Sequence, residues 1–556
     1  MSERNKELQK LFLNKEYSQI IEIIEGTDKE EKKSSALLNF LGVCKLLRKS
    51  KNKDDLVSAN RTFLQAYKQE KTSPDGLKAC INFINSSADI FDQNSLNNYI
   101  SNALTLFLEA NEYFGFNEKL LLAVIRIYKR QNNLNKVLVN LEKLIENNCS
   151  TPKILSSYIY RNCFLKGWSQ KKFFFYTQEL NKNLDKFTSD RLSFIKKVKE
   201  KKISIAFLSS DINGNHSITY FLKTVLQNYD KSKFKVYLIS NSSEDDETTN
   251  FFKSLVDEFF NINHLEDKEA ITYIRKKNIS VLIDLMGLTS TNRISLLKSR
   301  ISPIQVSWLG FCNTTGIDNM DYIFADENTI MDHEKDLYSE KIIYLPNIWN
   351  CHSGLKFNRV KNPVPFKKNN FITFGSFNNF NKINEDVVEV WSQILKEVHN
   401  SRLILKSSIT MQTDILKNLF EKYKSQDSVI FVNKKNFNDH INFYNSIDIA
   451  LDTFPYNGVT TSFEAIWMGV PVLTMKGYNF NSRCGESINK NLGLESLIAE
   501  DNSDYVLKAK ELSGDLNKLI NVRQHIYEKA LDSPLFNVEN FLKDFYKSLE
   551  EIYQKS

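Results

Sequence analysis

Short apolar runs rich in β-branched residues alternate with helical stretches through most of the chain, and this alternation limits the possible folds most strongly. One set lies between residues 200 and 345: ISIAFLSS, FKVYLIS, VDEFFNINH, SVLIDLMG, PIQVSWLG and DYIFAD. A second set follows: FITFGSF, SRLILKSS, SVIFVN, DIALDTF and PVLTM. Strands that alternate with helices predict parallel sheets covered by helices on both faces. Two such sets predict an α/β protein with two Rossmann-like lobes, whose ligands bind at the carboxyl ends of the strands.

Residues 1–198 have helical patterns and almost no strand signals, so we expect a helical domain before lobes at 199–345 and 346–556. Two stretches fit the helix-turn-helix repeat of tetratricopeptide proteins. Their apolar positions are Leu38, Gly42, Ala59, Phe63 and Ala66 in the first, and Leu121, Ile125, Tyr128, Val137, Leu141 and Leu144 in the second. Such repeats form either a concave surface that holds a peptide or a bundle that braces the next domain. The closing stretch NVENFLKDFYKSLEEIYQKS predicts one amphipathic helix.

The segment DIALDTFPYNGVTTSFEAIWMGVPVLTM (448–475) reads as a strand, a tight loop, a helix and a second strand. Pro455 and Gly458 favour the turn. Three consecutive hydroxyl residues then follow, all good helix N-caps: Thr460, Thr461 and Ser462. This order predicts a helix over Phe463–Met468 that stops at Gly469.

The start of this helix has the properties of a phosphate site. First-turn N–H groups have no partner within a helix, and the helix dipole is positive there. The hydroxyls of Thr460 and Thr461 add donors, so the stretch predicts binding of phosphate. We place Glu464 in the first turn, where its carboxylate could accept hydrogen bonds from two ribose hydroxyls. The alternative is that a threonine only caps the helix and that Glu464 only interacts with the dipole.

Two further loops carry candidate groups for chemistry at the cleft. His216 follows the first strand and precedes a helical stretch, where it could act as a general base, hold a substrate hydroxyl or only hydrogen-bond its own backbone. Asn378, Asn379 and Lys382 follow the first strand of the second lobe. A lysine placed there could offset the charge of a leaving diphosphate, although a solvated surface lysine is the alternative.

Composition excludes several other classes. The net charge of +7 comes from 74 basic and 67 acidic residues that are interspersed, so it indicates neither nucleic-acid binding nor a polybasic membrane contact. The charged stretch MSERNKELQKLF lacks the apolar core of a signal peptide, and no apolar run approaches the length of a membrane span. The seven scattered cysteines without C-x-x-C are typical of reduced thiols in a cytoplasmic protein. There is no D-x-D near a strand end and no H-E-x-x-H, so we expect no metal and no other cofactor.

Several segments resemble the O-linked N-acetylglucosamine transferase family, which includes SPINDLY-type plant proteins and bacterial relatives. They are SFNNFNK, LDTFPYNGVTTSFEAIWMGVPVLTM, PIQVSWLGFCNTTG and SPLF (533–536), within a likeness that spans residues 200 to about 550. The resemblance implies tetratricopeptide repeats before two Rossmann-like lobes in the GT-B arrangement. It also implies an inverting, metal-independent transfer of a sugar from a nucleotide to a protein hydroxyl.

The resemblance also implies roles for individual residues. Lys382 would contact the donor diphosphate beside Asn379, and Thr460 and Thr461 would present hydroxyl and N–H groups to the phosphates. Glu464 would take the position of the acid that binds the ribose. His440 would be the histidine that contacts the nucleoside, and His216 would be the loop histidine at the sugar and acceptor end.

Several departures from the family pattern leave the donor open. Glu464 replaces the aspartate of the animal enzymes, as in the SPINDLY-like branch. Val459 replaces the histidine that precedes the two threonines in animal enzymes, and Leu288 replaces a histidine found in many relatives. Phe437 and Phe443 stand where animal enzymes have basic residues near the base. The first hypothesis is a transferase of N-acetylglucosamine from UDP-N-acetylglucosamine to Ser or Thr of proteins held by the repeats. The alternatives are a GDP-fucose-dependent protein O-fucosyltransferase, an asparagine-linked glucosyltransferase, an enzyme that acts on a small molecule or glycan, and a non-catalytic binding protein.

Overall fold

The computed structural model of the protein has two compact units, residues 1–150 and 151–556. The residues that the structure describes are 3–26, 33–48, 53–90, 96–187, 201–214, 216–355, 357, 359, 364–407, 410–433 and 436–555. The predicted boundary at residue 198 lies outside these described residues. Because the second unit begins at Thr151, the helices between this residue and the first strand pack with the two lobes.

The described part of the first unit is helical. Its helices are α1 (Glu3–Leu13), α2 (Tyr17–Glu25), α3 (Ser35–Leu47), α4 (Lys53–Gln69), α5 (Pro74–Asp89), α6 (Leu96–Phe114), α7 (Glu118–Arg130) and α8 (Leu134–Glu146). The positions predicted from the repeat pattern are buried except Tyr128, which is half-buried, and Phe63 of α4 is fully enclosed. A Cβ on Gly42 of α3 would lie 2.4 Å from the Phe63 ring, so the close approach of these two helices requires glycine.

The second unit contains two parallel sheets, as predicted. The first has the order β3-β2-β1-β4-β5-β6-β7 and the second the order β10-β9-β8-β11-β12-β13. The strands of the first sheet are β1 (Ile203–Ser209), β2 (Phe234–Ser240), β3 (Glu258–Asn261), β4 (Val281–Asp284), β5 (Ile304–Ser307), β6 (Tyr322–Ala325) and β7 (Lys341–Tyr344). Those of the second are β8 (Ile372–Ser376), β9 (Ser401–Ser407), β10 (Val429–Asn433), β11 (Ile449–Leu451), β12 (Val472–Met475) and β13 (Ile498–Ala499). The strand order reverses beside β1 and beside β8, which are the positions where such sheets bind ligands.

Helices cover these sheets. Before the first strand come α9 (Pro152–Asn162) and α10 (Gln170–Phe187). The first lobe has α11 (Ser217–Gln227), α12 (Glu247–Lys253), α13 (Asp267–Arg275) and α14 (Ile294–Lys298). The remaining helices are α15 (Phe366–Asn369), α16 (Glu385–Glu397), α17 (Thr410–Lys422), α18 (Phe437–Asn442), α19 (Thr460–Trp467), α20 (Cys484–Lys490), α21 (Asn502–Gly514), α22 (Leu516–Lys529) and α23 (Val538–Lys555).

The terminal helix α23 confirms the prediction of one amphipathic helix, but it packs on the first lobe. The ring of Phe545 lies 4.8 Å from the rings of both Trp308 and Phe324. The Tyr546 hydroxyl donates a hydrogen bond of 3.1 Å to the carbonyl of Val225. The chain therefore returns to the first lobe after completing the second.

A buried ion pair also joins the two lobes. Arg483, directly before α20, donates two hydrogen bonds to the carboxylate of Glu334, of 2.5 and 2.7 Å. Both side chains are buried. Burial alone would raise the pKa of Glu334, but the hydrogen bonds and charge of Arg483 outweigh it and lower that pKa below its usual value.

Two general features of the chain bear on its class. In the part of the chain that the structure describes, no helix is both long and apolar enough to cross a membrane. All seven cysteines are free thiols.

Candidate active site

The phosphate-binding helix predicted from the sequence is α19, and it begins three residues earlier than predicted. Its N-cap is Val459, whose side chain makes no capping hydrogen bond. The N–H groups of Ser462 and Phe463 both donate to the Val459 carbonyl at 3.0 Å, so the backbone is already helical from Thr460. The prediction that the threonines and Ser462 cap the helix is therefore wrong. The predicted stop is confirmed, because Gly469 has the positive φ of 72° that ends many helices.

The Thr461 hydroxyl faces the loop after β8 instead of capping its own helix. It donates a hydrogen bond of 2.8 Å to Oδ1 of Asn378. A Cβ on Gly458 would lie within 3 Å of both of these oxygen atoms, so this approach also needs glycine. The neighbouring Asn379 is exposed and uses its own Oδ1 to accept from the Asn381 N–H. The Thr460 hydroxyl is half-buried and makes no hydrogen bond to the described residues.

Lys382 reaches from the same loop to the segment that leads into α19. Its ammonium group donates a hydrogen bond of 2.7 Å to the carbonyl of Asn457 and lies 4.5 Å from the centre of the Tyr456 ring. Burial lowers the pKa of Lys382, and the nearby carboxylate of Asp452 partly opposes that shift. Lys382 is therefore held at the site and is not the solvated surface lysine of the alternative interpretation.

Asp452, which the sequence did not single out, organises the loop between β11 and α19. Its Oδ1 accepts hydrogen bonds from the N–H groups of Thr453 and Gly458, and its Oδ2 accepts one from the Thr474 hydroxyl. Burial raises the pKa of Asp452 to about 6 despite these hydrogen bonds. The position directly after a buried strand was the one available signal for it.

Glu464 is the fifth residue of α19, so the prediction that it belongs to the first turn is wrong. Its Oε2 lies 2.9 Å from Nε2 of His440 and accepts a hydrogen bond of 2.9 Å from the Tyr444 hydroxyl. Both Glu464 and His440 are buried. The Nδ1 atom of His440 is enclosed without a partner among the described residues. The structure thus brings together two residues predicted to bind the nucleoside.

His216 lies at the start of α11 and is exposed. Its Nδ1 accepts a hydrogen bond of 3.4 Å from the Ile218 N–H, as in the interpretation of a loop histidine bonded to its own backbone. Because Nδ1 accepts, the neutral ring carries its proton on Nε2 and presents a donor to the solvent. A catalytic role for His216 stays a prediction.

The sequence matches the family described as Glycosyl transferase family 41 over residues 180–356 and 358–545. These ranges include both sheets and all the loops described above. The chain belongs to glycosyl transferase family 41. Membership of this family makes it a glycosyltransferase. The resemblance stated from the sequence is thereby confirmed.

Relatives of this family 41 chain are found in plants. One is named "Probable UDP-N-acetylglucosamine--peptide N-acetylglucosaminyltransferase SPINDLY" in Solanum lycopersicum and is 33% identical over 371 residues, 64% of this chain and 39% of that protein. The protein of the same description named SEC in Arabidopsis thaliana is 26% identical over 360 residues, 63% of this chain and 37% of that protein. The chain thus spans about two fifths of the length of the curated relatives it matches.

A solved structure supports the fold assigned to this family 41 chain. It is a mutant of the Thermobaculum terrenum O-GlcNAc transferase, with a TM-score of 0.79 and 21% identity over 94% of this chain and 99% of that chain. The likeness confirms the predicted arrangement of a helical region followed by two Rossmann-like lobes.

Aromatic residues gather around His440 in this family 41 chain. The ring of Phe437 lies 6.1 Å from that of Tyr220 in the first lobe, and the ring of Phe443 lies 6.0 Å from that of Phe377. Flat aromatic faces of this kind suit stacking of a nucleobase. The sequence pointed to Phe437 and Phe443 only as departures from a basic pattern.

Within the described ranges of the chain, no group of three or more His, Cys, Asp or Glu side chains is placed so that it could hold a metal ion.

Proposed function

We propose that this chain transfers N-acetylglucosamine from UDP-N-acetylglucosamine to Ser or Thr hydroxyls of proteins, with inversion and without a metal. The observation that carries the proposal is the meeting of the Lys382 ammonium group with the segment directly before the uncapped start of α19, within the family 41 fold. The names of the plant relatives supply the donor and the class of acceptor.

The diphosphate would rest against the start of α19. The N–H groups and hydroxyls of Thr460 and Thr461 would donate hydrogen bonds to it, and Lys382 would balance the charge that develops as UDP leaves. Lys382 has one donor engaged by Asn457, so two N–H groups remain for phosphate oxygens. These groups would take the place of a divalent cation. Asn379, exposed at the start of the same loop turn, would complete this side of the donor site.

The nucleoside would lie beside Glu464 and His440. Glu464 uses Oε2 for its two protein partners, so Oε1 would accept from ribose hydroxyls. The unpartnered Nδ1 of His440 would contact the nucleoside. His216, at the carboxyl end of β1, would orient the acceptor hydroxyl or take its proton after a change of tautomer.

The helical repeats would hold a protein or peptide acceptor, which is one of the two interpretations of the repeat pattern. The seven free thiols support a cytoplasmic location, where thiols stay reduced.

A thermal-shift panel followed by a transfer assay tests the proposal. Ligands that bind the folded protein raise its melting temperature as their concentration exceeds the dissociation constant. We expect UDP and UDP-N-acetylglucosamine to stabilise the protein more than GDP-fucose or UDP-glucose does. Radiolabelled N-acetylglucosamine should then appear on proteins of a cell lysate and be located on Ser or Thr by mass spectrometry. A preferential response to GDP-fucose, or label only on small molecules, would contradict the proposed donor or acceptor.

Replacing Glu464 by alanine should weaken UDP binding at least about tenfold, because a hydrogen bond to a charged group contributes about 1.5–3 kcal/mol. Isothermal titration with UDP measures the change, and a thermal melt without ligand checks that the variant folds. Glu495→Ala, an exposed glutamate of the same lobe, is the control and should bind UDP as wild type does. Equal UDP affinity of Glu464→Ala and wild type would exclude the ribose role.

Replacing Asp452 by asparagine should move the alkaline limb of the kcat/KM profile to lower pH. Lys382 must keep its proton to balance the diphosphate, and the Asp452 carboxylate stabilises that ammonium form. Without the carboxylate the pKa of Lys382 falls further, so activity is lost at a lower pH as the pH rises. Asp284→Asn is the matched control, because Asp284 is also buried, at the end of strand β4, and burial also raises its pKa to about 6. An unmoved limb in Asp452→Asn would show that Lys382 does not set it.

A further inference from the structure

We propose that Tyr456 and Phe164, at the end of helix α9, form a positioning device that holds the Lys382 ammonium group in place. The inference rests on the proposed function, because it concerns the group assigned to the diphosphate. It goes further in giving a helix that precedes both lobes a part in the active site.

The first contact of this device is between Lys382 and Tyr456. The ammonium group lies 4.5 Å from the ring centre, within the range of a cation–π interaction, while it donates to the carbonyl of the next residue, Asn457. The ring therefore forms one wall against the ammonium group. A lysine side chain has four rotatable bonds, so a fixed wall removes positions in which the charge would miss a diphosphate.

The second contact holds Tyr456 from behind. The Phe164 ring stacks on the Tyr456 ring with their centres 4.8 Å apart and their planes at 11°. Phe164 is buried and lies just after the last residue of α9. The position of the Tyr456 ring is thus set by a residue outside both lobes.

Asn384 closes the arrangement two residues beyond Lys382. Its Nδ2 donates to the carbonyl of Phe164 at 2.8 Å and to the carbonyl of Phe454 at 2.9 Å. Its Oδ1 accepts from the Val387 N–H at the start of α16. One amide therefore ties the end of α9, the loop of Lys382 and the loop of Tyr456 together.

The charged surroundings of Lys382 make the device measurable. Burial lowers the pKa of Lys382, and the Asp452 carboxylate, followed by the thiols of Cys484 in α20 and Cys312 in the first lobe, opposes that shift. The face of the Tyr456 ring also stabilises the ammonium form of Lys382. Removing the ring should therefore lower the pKa of Lys382 as well as loosen its position.

The test replaces Tyr456 by leucine and by phenylalanine. In Tyr456→Leu we expect kcat to fall on the order of tenfold, because the free energy of a desolvated cation–π contact corresponds to about this change in rate. We also expect the alkaline limb of the pH profile to move to lower pH. Tyr456→Phe keeps the ring, so its kcat and its alkaline limb should both stay close to those of wild type. Tyr273→Leu is the matched control, because Tyr273 also lies beside a lysine, with its ring centre 5.3 Å from the Lys277 ammonium group, but at the far edge of the first lobe.

A merely structural role of Tyr456 would reduce the active fraction without moving the limb, so an unmoved limb in Tyr456→Leu overturns the inference. If that variant fails to fold, Phe164→Leu is measured in its place: a limb moved in the same direction supports the inference and an unmoved limb overturns it. The inference fails alone if Lys382→Ala is impaired while Tyr456→Leu matches wild type. If the wild type neither binds UDP nor transfers sugar, the proposed function fails and the inference falls with it.

Discussion

Replacing Lys382 by alanine should reduce the turnover of sugar transfer at least about a hundredfold, the scale lost when one preorganised charge-stabilising donor is removed. The structure places the ammonium group of Lys382 against the segment before α19, where Asn457 and Tyr456 fix it. Its charge matters most when UDP departs, so kcat should fall more than the affinity for the donor.

Two further variants separate charge from packing in this prediction. Lys382→Met keeps most of the side chain over Tyr456 but removes the charge, so it should be as impaired as the alanine variant. Lys510→Ala, an exposed lysine of the same lobe that pairs with Glu397, should keep wild-type turnover. Single-turnover assays with radiolabelled donor give the rates. Turnover of Lys382→Ala within threefold of wild type would remove Lys382 from the proposed role.

Replacing Glu334 by glutamine should lower the free energy of unfolding of the unit with both lobes by about 3–5 kcal/mol, the cost of leaving a buried charge without its partner. Arg483 would remain enclosed between the lobes and would lose the negative charge of its partner and one of the two acceptor oxygens, because the amide of glutamine places an NH2 group in its stead. Urea unfolding followed by intrinsic fluorescence measures the shift.

An exposed acid in the same segment provides the comparison for Glu334. Asp332→Asn removes the partner of Lys335 at the surface, and its effect on the free energy of unfolding should be much smaller, because solvent screens exposed ion pairs. Because the folded-state pKa of Glu334 is lowered, its contribution is present above the unfolded pKa and is lost as pH falls through the folded pKa. The difference between Glu334→Gln and wild type should therefore shrink in acid. An equally small effect of both variants at neutral pH would exclude a stabilising role of the buried pair.

Much of the fold could be predicted because parallel strands buried on both faces are continuous apolar runs. All eleven runs identified from the sequence contain strands of the structure. The strands that were not predicted, β7 and β13, lie at sheet edges, and β13 has two residues, too few for a pattern. The start of α19 was misplaced because N-cap preference favours threonine, whereas here the backbone of Val459 begins the helix without a side-chain cap.

The sequence predicted most residues of the candidate site, but it did not predict which of their atoms contact one another. Loops after β8 and β11 were expected to meet, since carboxyl ends of parallel strands share one edge. Which atoms meet depends on side chains far apart in sequence, such as Thr461 with Asn378, or Glu464 with Tyr444. Phe164 gave no signal, because an apolar residue after a helix has the same pattern whether it fills a core or supports a lysine.

The position of helix α23 determines when, during translation, the core of the first lobe can be completed. The rings of Trp308 and Phe324 in the first lobe are covered by Phe545. During translation these rings stay open to water until the ribosome has made the whole second lobe and then α23. The first lobe, although earlier in the chain, therefore completes its core last, and nascent chains carry this uncovered aromatic surface, which favours aggregation, until α23 has been made.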